Sequence, residues 1–403
     1  MNEELNTSSG ISRTALILTG GGARAAYQVG VLKAVSEICP KRRWPFPIIV
    51  GTSAGAVSAS ILAANVTRWH QSMKEIENVW ANFRINQVFR SDATAMLKAG
   101  GRWMGSLFTG GAIGPPKSLL DNSPLRELLS QVTDFDAVRV NVAHGHLRAL
   151  ALCATSYFTA RSVSFFEADT TIGEWSRTQR HGERAPLSLD YLMASLGMPF
   201  LFPPSCLRGE YFGDGAMRQT APLSPAIHLG ADRMLVVGVR DERPDAEPPV
   251  GAKPEPPTFA HLGGYMLDTL FMDGLYTDLE RLSRTNRIVE QIGDCKLSGP
   301  LAALRPLHTL VIVPHQDLRS LAAEFAHELP RGVRLLLRGL GASSNSGLQL
   351  VSYLLFESGF TRALIEMGYK DAMAMEDELR AFIFDEPMAT LYAPAHLKLE
   401  LDR

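Results

Sequence analysis

The sequence predicts an α/β protein: a mainly parallel sheet flanked by helices, followed by a mostly helical C-terminal region. Three observations carry this. The apolar runs Ala15-Leu16-Ile17-Leu18 and Ile48-Ile49-Val50 are continuous rather than alternating, as strands buried on both faces require. Each passes through a glycine-rich turn directly into a run of helical character, the order of parallel α/β units. The last hundred residues then carry apolar positions mostly at helical spacing.

Composition bounds what such a chain does. Its 403 residues suit one large domain with an appendage, or two domains. With 46% hydrophobic and 20% charged residues it is ordinary globular material, and a net charge of −2 leaves no basic footprint for nucleic acid. Cys39, Cys153, Cys206 and Cys295 are scattered without C-x-x-C spacing, so neither a disulfide framework nor a zinc site is expected. The first residues are polar and acidic with no apolar core, and no stretch approaches the ~18 apolar residues of a membrane span. A cytoplasmic protein, at most peripheral at a membrane, is the expectation.

The first strand ends in Thr19-Gly20-Gly21-Gly22-Ala23-Arg24-Ala25, and Ala26, Val29, Val31, Leu32, Val35 and Ile38 continue with a helical period. Consecutive amides with no side chains in the way converge on an anion. Three readings compete for this loop. Gly20-x-Gly22-x-x-Ala25 fits the dinucleotide fingerprint, but the acidic residue expected about 20 positions later is missing. A phosphate-binding P-loop needs Gly-Lys-Ser/Thr, which is absent. The third reading is an oxyanion hole formed by the amides of Gly21, Gly22 and Ala23, with Arg24 nearby as a fixed positive charge.

The second strand explains why the third reading is attractive. It runs into Gly51-Thr52-Ser53-Ala54-Gly55 and a helix of small residues, the strand–turn–helix setting of a G-x-S-x-G nucleophile elbow. Ser53 then stands at the tip of a sharp turn above a helix N-terminus. Gly51 and Gly55 remove side chains that would strike the neighbouring strand and helix. Parallel neighbouring strands bring both loops to the same edge of the sheet. The common α/β-hydrolase order is excluded, because no histidine precedes the glycine loop and only one strand precedes that of Ser53.

Further along, Trp69, Met73, Ile76, Val79, Trp80 and Phe83 form the core face of a helix. Residues 91–116 mix glycines with Trp103, Met104, Leu107 and Phe108, and read as a packed surface loop, a lid or a membrane-facing flap. Residues 138–166 read as two or three strands. His144 and His146 would face one side of the first of these, with no third ligand, so no metal is expected. Pro199, Pro203 and Pro204 close a helix. A short strand at Tyr211-Phe212 then delivers Gly213-Asp214-Gly215-Ala216, a carboxylate fixed in a tight turn.

GGGARA, GTSAG and DGA, in this order and with FPP just before the third, resemble the patatin-like phospholipases over roughly residues 14–230. The resemblance implies a three-layer α/β/α fold and a serine–aspartate dyad without histidine or cofactor. Carried over by motif, Ser53 is the nucleophile, Asp214 its base, the loop from Gly20 through Gly21, Gly22 and Ala23 to Arg24 the oxyanion hole, and Gly51, Gly55, Gly215 and Ala216 their support. Ala25 departs from the glycine that usually closes the first motif, and LGMPFLFPP from the commoner small-residue version. The implied activity is hydrolysis of acyl esters of phospholipid or lysophospholipid, with transient contact at a membrane surface. The alternative is a lipid-binding or regulatory module of the same fold with weak turnover, for which Ala25 and the long C-terminal region are the hints.

That C-terminal region, 231–403, is expected to contain a strand at 233–239, a proline-rich linker at 241–257, a helix over 262–292 and a late strand at 309–313 that joins the sheet at an edge. Residues 348–356 are apolar almost all round and should dock on the catalytic domain, pair two copies in a homo-oligomer, or touch lipid. His308 and His315 flank the late strand, with nothing to bring either to Ser53.

Overall fold

The computed structural model describes residues 13–40, 44–91, 101, 118–240, 256–293, 304–341 and 347–393. The candidate lid at 91–116 and the linker at 241–257 fall almost wholly outside them.

The chain opens with β1 (Thr14–Leu18), a 3₁₀ turn at Gly22–Ala25 and α1 (Ala26–Ile38). β2 (Ile48–Thr52) leads through Ser53 into α2 (Ala54–Ala64), whose eleven residues are all buried. Small side chains make that possible, because they let the helix approach its neighbours closely. α3 (Trp69–Ala81) buries Trp69, Met73, Ile76 and Trp80, one stripe at spacings of three and four. After α4 (Ile85–Val88) come α5 (Ser123–Val132) and α6 (Phe135–Ala143).

The helix α6 corrects the reading of Val138-Arg-Val-Asn-Val as a strand. Its alternation is real, but Asp134 caps a helix there by accepting the Ala137 amide at 3.0 Å. Helical geometry puts Asn141 on the buried face beside Phe135 and Val138, where its side-chain amide donates to the carbonyls of Ala63 and Ala64 at 2.9 and 3.0 Å. Those carbonyls belong to the last turn of α2 and have no partner within it. His144 and His146 therefore follow a helix end rather than share a strand face, and their rings stack 6.1 Å apart.

The strands β3 (Ala149–Ser156) and β4 (Ser162–Ala168) follow, then β5 (Trp175–Ser176), β6 (Arg180–Arg184), α7 (Leu189–Ser195), the hairpin β7 (Ser205–Leu207) and β8 (Glu210–Asp214), α8 (Ser224–His228) and β9 (Arg233–Val237). Beyond these lie α9 (Phe259–Asp268), a π-helical turn at Thr269–Asp273 and α10 (Gly274–Ile292), so the helix expected over 262–292 is one run with a wide turn inside it. The chain ends through β10 (His308–Ile312), α11 (Leu318–Phe325), α12 (Arg331–Gly339), α13 (Leu348–Leu354), α14 (Ser358–Met373), α15 (Glu376–Phe384) and β11 (Leu391–Tyr392).

Among the described residues eleven strands form one sheet in the order β11-β10-β9-β1-β2-β3-β4-β6-β5, with β8 on β3 and β7 on β8. The six strands from β11 to β3 are mutually parallel. Every residue of β1, β2 and β3 is buried, so both faces are covered and the architecture is three-layered. The sheet runs on past residue 230: β9 pairs with β1, and β10 with β9. The late strand is one place in from the edge, because β11 caps it.

The helix α14 binds the C-terminal region to α1 through two reciprocal close approaches. A Cβ on Gly30 would lie 2.0 Å from the Ile365 carbonyl oxygen, and one on Gly368 would lie 2.1 Å from that of Tyr27. Both glycines sit mid-helix, where alanine alone would gain about 1 kcal/mol of propensity. We expect Gly368→Ala to lower stability instead, by about 1–3 kcal/mol or more, because backbone cannot retreat as a side chain can. Urea unfolding measures this, and a stabilised variant would contradict the packing described.

Candidate active site

Three loops meet at the carboxyl edge of the sheet. The first is the turn at Ser53. Ser53 has φ 51° and ψ −130°, left-handed and strained for a residue with a side chain, and it is 3% exposed. Close packing of β2 on α2 and β1 holds it there. A Cβ on Gly51 would lie 2.5 Å from Ala56 Cα, and one on Gly55 would lie 2.4 Å from the Leu18 carbonyl oxygen. The Ser53 amide donates to Ser195 Oγ at 3.0 Å, which ties the turn to the end of α7. Beside it Thr52 donates to Gln219 Oε1 at 2.7 Å, and Gln219 Nε2 donates to Cys153 Sγ at 3.2 Å.

The second loop carries Asp214, the last residue of β8. The register of β3 explains how 161 residues of separation close. Along one side of β3 the partner is β2, which ends with Thr52 opposite Cys153. From the next position the partner is β8, arriving antiparallel, with Asp214 opposite Ala154. The other side of β3 is occupied throughout by β4. Ser53 and Asp214 thus follow consecutive rungs of one strand, and Ser53 Oγ donates to Asp214 Oδ2 at 2.5 Å. The second carboxylate oxygen accepts the Ala216 amide at 2.9 Å. Thr155 Oγ1 donates to the Asp214 carbonyl at 2.8 Å. Gly215 is required by its neighbour, since a Cβ there would lie 2.2 Å from the Cys153 carbonyl oxygen.

Asp214 is 1% exposed, and burial pushes its carboxyl up to about 7, against the lowering effect of the hydrogen bonds from Ser53 and Ala216. Among the described residues no cationic group offsets the desolvation.

The third loop is the glycine turn. Arg24 N donates to the Gly21 carbonyl at 3.1 Å as the first helical bond, so the amides of Gly21, Gly22 and Ala23 precede the ladder. Gln28 on α1 fixes the approach by donating to the carbonyls of Thr19 and Val237 at 2.9 and 3.1 Å. Gly20 is close enough to the Ser53 turn that a Cβ on it would lie 3.0 Å from Ser53 Cβ. The side chain of Arg24, expected as a fixed positive charge near the loop, turns to the C-terminal region. It is 2% exposed and its donors go to Ser352 Oγ, Asp268 Oδ1 and Tyr353 Oη at 2.6 to 3.1 Å.

Ser53 also lines a narrow cavity, about 30 Å³ open to the centres of water-sized molecules. Its other walls include Val57, Trp80, Phe83, Phe202, Leu354 and Phe356. A space of that size holds one or two waters. Trp80 and Phe83 read from sequence only as core. Asp268, Ser352 and Tyr353 went unread, although Gln349, Ser352 and Tyr353 interrupt an otherwise apolar helix at spacings of three and four, which was the available signal.

His308 begins β10 at the opposite, amino edge of the sheet, and His315 is held by Asp371. Among the described residues no group of three or more His, Cys, Asp or Glu is arranged to hold a metal. No described helix is long and apolar enough to cross a membrane.

The fold is thus a mainly parallel α/β sheet with three glycine-bearing loops converging on a serine at its carboxyl edge. The patatin-like phospholipase profile matches residues 16–227, a little over half of the sequence, and the chain belongs to that family. Among curated proteins none matches the chain.

The carboxyl pushed up to about 7 has a consequence for stability. An unfolded aspartate titrates near 3.9, so between about pH 4 and 7 the folded state holds a proton the unfolded chain has released. That stabilisation is complete below about pH 4 and lost as pH rises through 7. Asp214→Asn cannot titrate, so its stability relative to wild type should climb by roughly 4 kcal/mol across this window and level off above it. Chemical denaturation at a series of pH values measures the difference, and a flat difference would count against a desolvated Asp214.

Proposed function

We propose that this protein hydrolyses carboxylic esters of phospholipid or lysophospholipid through a dyad of Ser53 and Asp214. The observation that carries the reading is the 2.5 Å hydrogen bond between the two side chains, both buried, with Ser53 lining an apolar cavity. Asp214 takes the Ser53 proton as Oγ attacks the acyl carbonyl. The negative charge that develops on the carbonyl oxygen is met by the amides of Gly21, Gly22 and Ala23. The leaving alcohol receives the proton from Asp214, leaving an acyl-enzyme on Ser53. Water attacks that ester with Asp214 again as base, releasing the fatty acid and restoring the serine. A carboxyl near 7 is a stronger base than an ordinary aspartate and is ionised at neutral pH in a useful fraction. The acyl chain lies against Trp80, Phe83 and Phe356 as they part.

The membrane contact that such a substrate requires is assigned to the outer faces of α9 and α12. Phe259 is 79% exposed, and Leu262, Tyr265 and Met266 continue an exposed apolar stripe along α9. The Ala260 amide donates to the Leu340 carbonyl at 2.9 Å, joining this stripe to the end of α12. There Leu335, 72% exposed, is flanked on the same face by the exposed Arg331 and Arg338. Neither outer face carries an acidic side chain, since Asp268 is buried. Apolar side chains bordered by arginine fit the headgroup region of an anionic bilayer.

The dyad and the membrane surface are tested separately. A fluorophosphonate probe should label wild type and not Ser53→Ala, and Ser53→Ala and Asp214→Asn should each lose roughly 10³-fold or more in turnover of a medium-chain p-nitrophenyl ester. Wild-type kcat/KM should rise with pH through about 7, as the free enzyme's base ionises. Folded protein that resists labelling would instead favour a binding module. Separately, Phe259→Ser with Leu335→Ser should reduce sedimentation with vesicles containing phosphatidylglycerol several-fold, and added salt should weaken wild-type binding. Undiminished sedimentation of the variant would remove this surface from contention.

A further inference from the structure

The glycine loop is built from the family portion of the chain, yet what presses on it comes from beyond residue 227. A Cβ on Gly20 would lie 2.5 Å from the Phe271 ring, one on Gly21 would lie 2.3 Å from Val239 Cγ2, and one on Gly22 would lie 2.4 Å from the Tyr353 carbonyl oxygen. Gly22 also has φ +55°, a conformation few residues with side chains adopt. The loop is thus cast against three C-terminal surfaces along its length.

Arg24 fastens it there. Its Nε and Nη2 both donate to Ser352 Oγ, at 2.9 and 2.6 Å, and Nη1 donates to Asp268 Oδ1 and Tyr353 Oη, each at 3.1 Å. The guanidinium lies 3.9 Å above the Tyr353 ring. Asp268 is in turn held by the Tyr353 hydroxyl, by Gln349 Nε2 and by Arg240 at 3.4 Å. Burial pushes the Tyr353 hydroxyl well above its ordinary range, so it remains a donor to Asp268 at any working pH. A planar fork with several fixed acceptors allows one orientation, and a buried guanidinium cannot exchange these partners for water.

We infer that Asp268 is a positioning residue for the oxyanion loop: acting through Arg24, it holds the amides of Gly21, Gly22 and Ala23 where the reaction needs them, and so makes the C-terminal region part of the catalytic unit. This rests on the hydrolase reading above. Ester hydrolysis is sensitive to such donors because they act on charge that develops only in the transition state, and a displacement of a fraction of an ångström weakens them there without weakening substrate binding.

The test uses the full chain with Asp268→Asn, Asp268→Glu and the milder Ser352→Ala, which keeps the ion pair but removes the acceptor shared by two Arg24 donors. For each variant, kcat and KM on a water-soluble ester, the melting temperature, and the amide spectrum of ¹⁵N-glycine-labelled protein are measured. Asp268→Asn should lower kcat by roughly 10–100-fold with KM within about twofold, Asp268→Glu should recover part of the loss, and Ser352→Ala should lower kcat several-fold. The amides of Gly20, Gly21 and Gly22 should shift, while those of Gly145 and Gly173, with nothing packed near them, should not. Unmoved loop amides, or a folded Asp268→Asn or Ser352→Ala with wild-type kcat, would overturn the inference. If Asp268→Asn does not fold, Ser352→Ala decides alone. Loop amides that shift in a protein whose wild type shows no Ser53-dependent turnover would sustain the clamp and overturn the hydrolase reading by itself.

Discussion

One edge of β3 is shared by two strands that arrive from opposite directions, and the arrangement of the site depends on that sharing. β2 occupies the edge up to Cys153 and β8 takes it from Ala154, so the residue after one strand and the last residue of the other are brought together by backbone hydrogen bonding. A slip of one rung in the β8 ladder would turn Asp214 to the other face of the sheet, and a slip in the β2 ladder would displace Ser53. The short hydrogen bond between Ser53 and Asp214 is therefore set by sheet register, before any side-chain preference enters. Continuous burial of β1, β2 and β3 secures the register, because every residue on both faces has a neighbour to lose.

The electrostatics follow from the same burial. Asp214 has two hydrogen-bond donors and no cation, so the desolvation that raises it is only partly offset. The positive charge nearest in sequence to the glycine loop, that of Arg24, is committed to Asp268. What remains in the glycine loop beside Ser53 is its backbone dipoles. An ion pair placed there would have competed for the serine proton. In its actual place it ties the loop to the C-terminal helices.

The C-terminal region is woven into the rest of the molecule. It supplies strands that continue the sheet beyond β1, a helix that meets α1 backbone to backbone at Gly30 and Gly368, and the wall behind the glycine loop. Residues 348–356 dock rather than stand free, with Ser352 and Tyr353 on Arg24 and Leu354 and Phe356 lining the cavity. Outside the family portion, then, lie both part of the cavity wall at Ser53 and the partners that hold the glycine loop.

Local chemistry was legible in the sequence. A glycine-flanked serine after an apolar run, a triple-glycine loop after another, and an aspartate between glycines are patterns within a few residues, dictated by turns that tolerate nothing else. Continuous apolar runs likewise determined the buried parallel strands. Where local pattern and global placement disagreed, placement won: Val138, Val140 and Val142 alternate like a strand, yet the cap at Asp134 and the carbonyls of Ala63 and Ala64 awaiting Asn141 made a helix. Only the tertiary structure decided what Arg24 does, which residues press on Gly20, Gly21 and Gly22, and how far burial raises Asp214. Each of these depends on groups more than 50 positions away in the chain, and neither the strength of a charge nor the need for a glycine can be known until the neighbours that exclude water are in place.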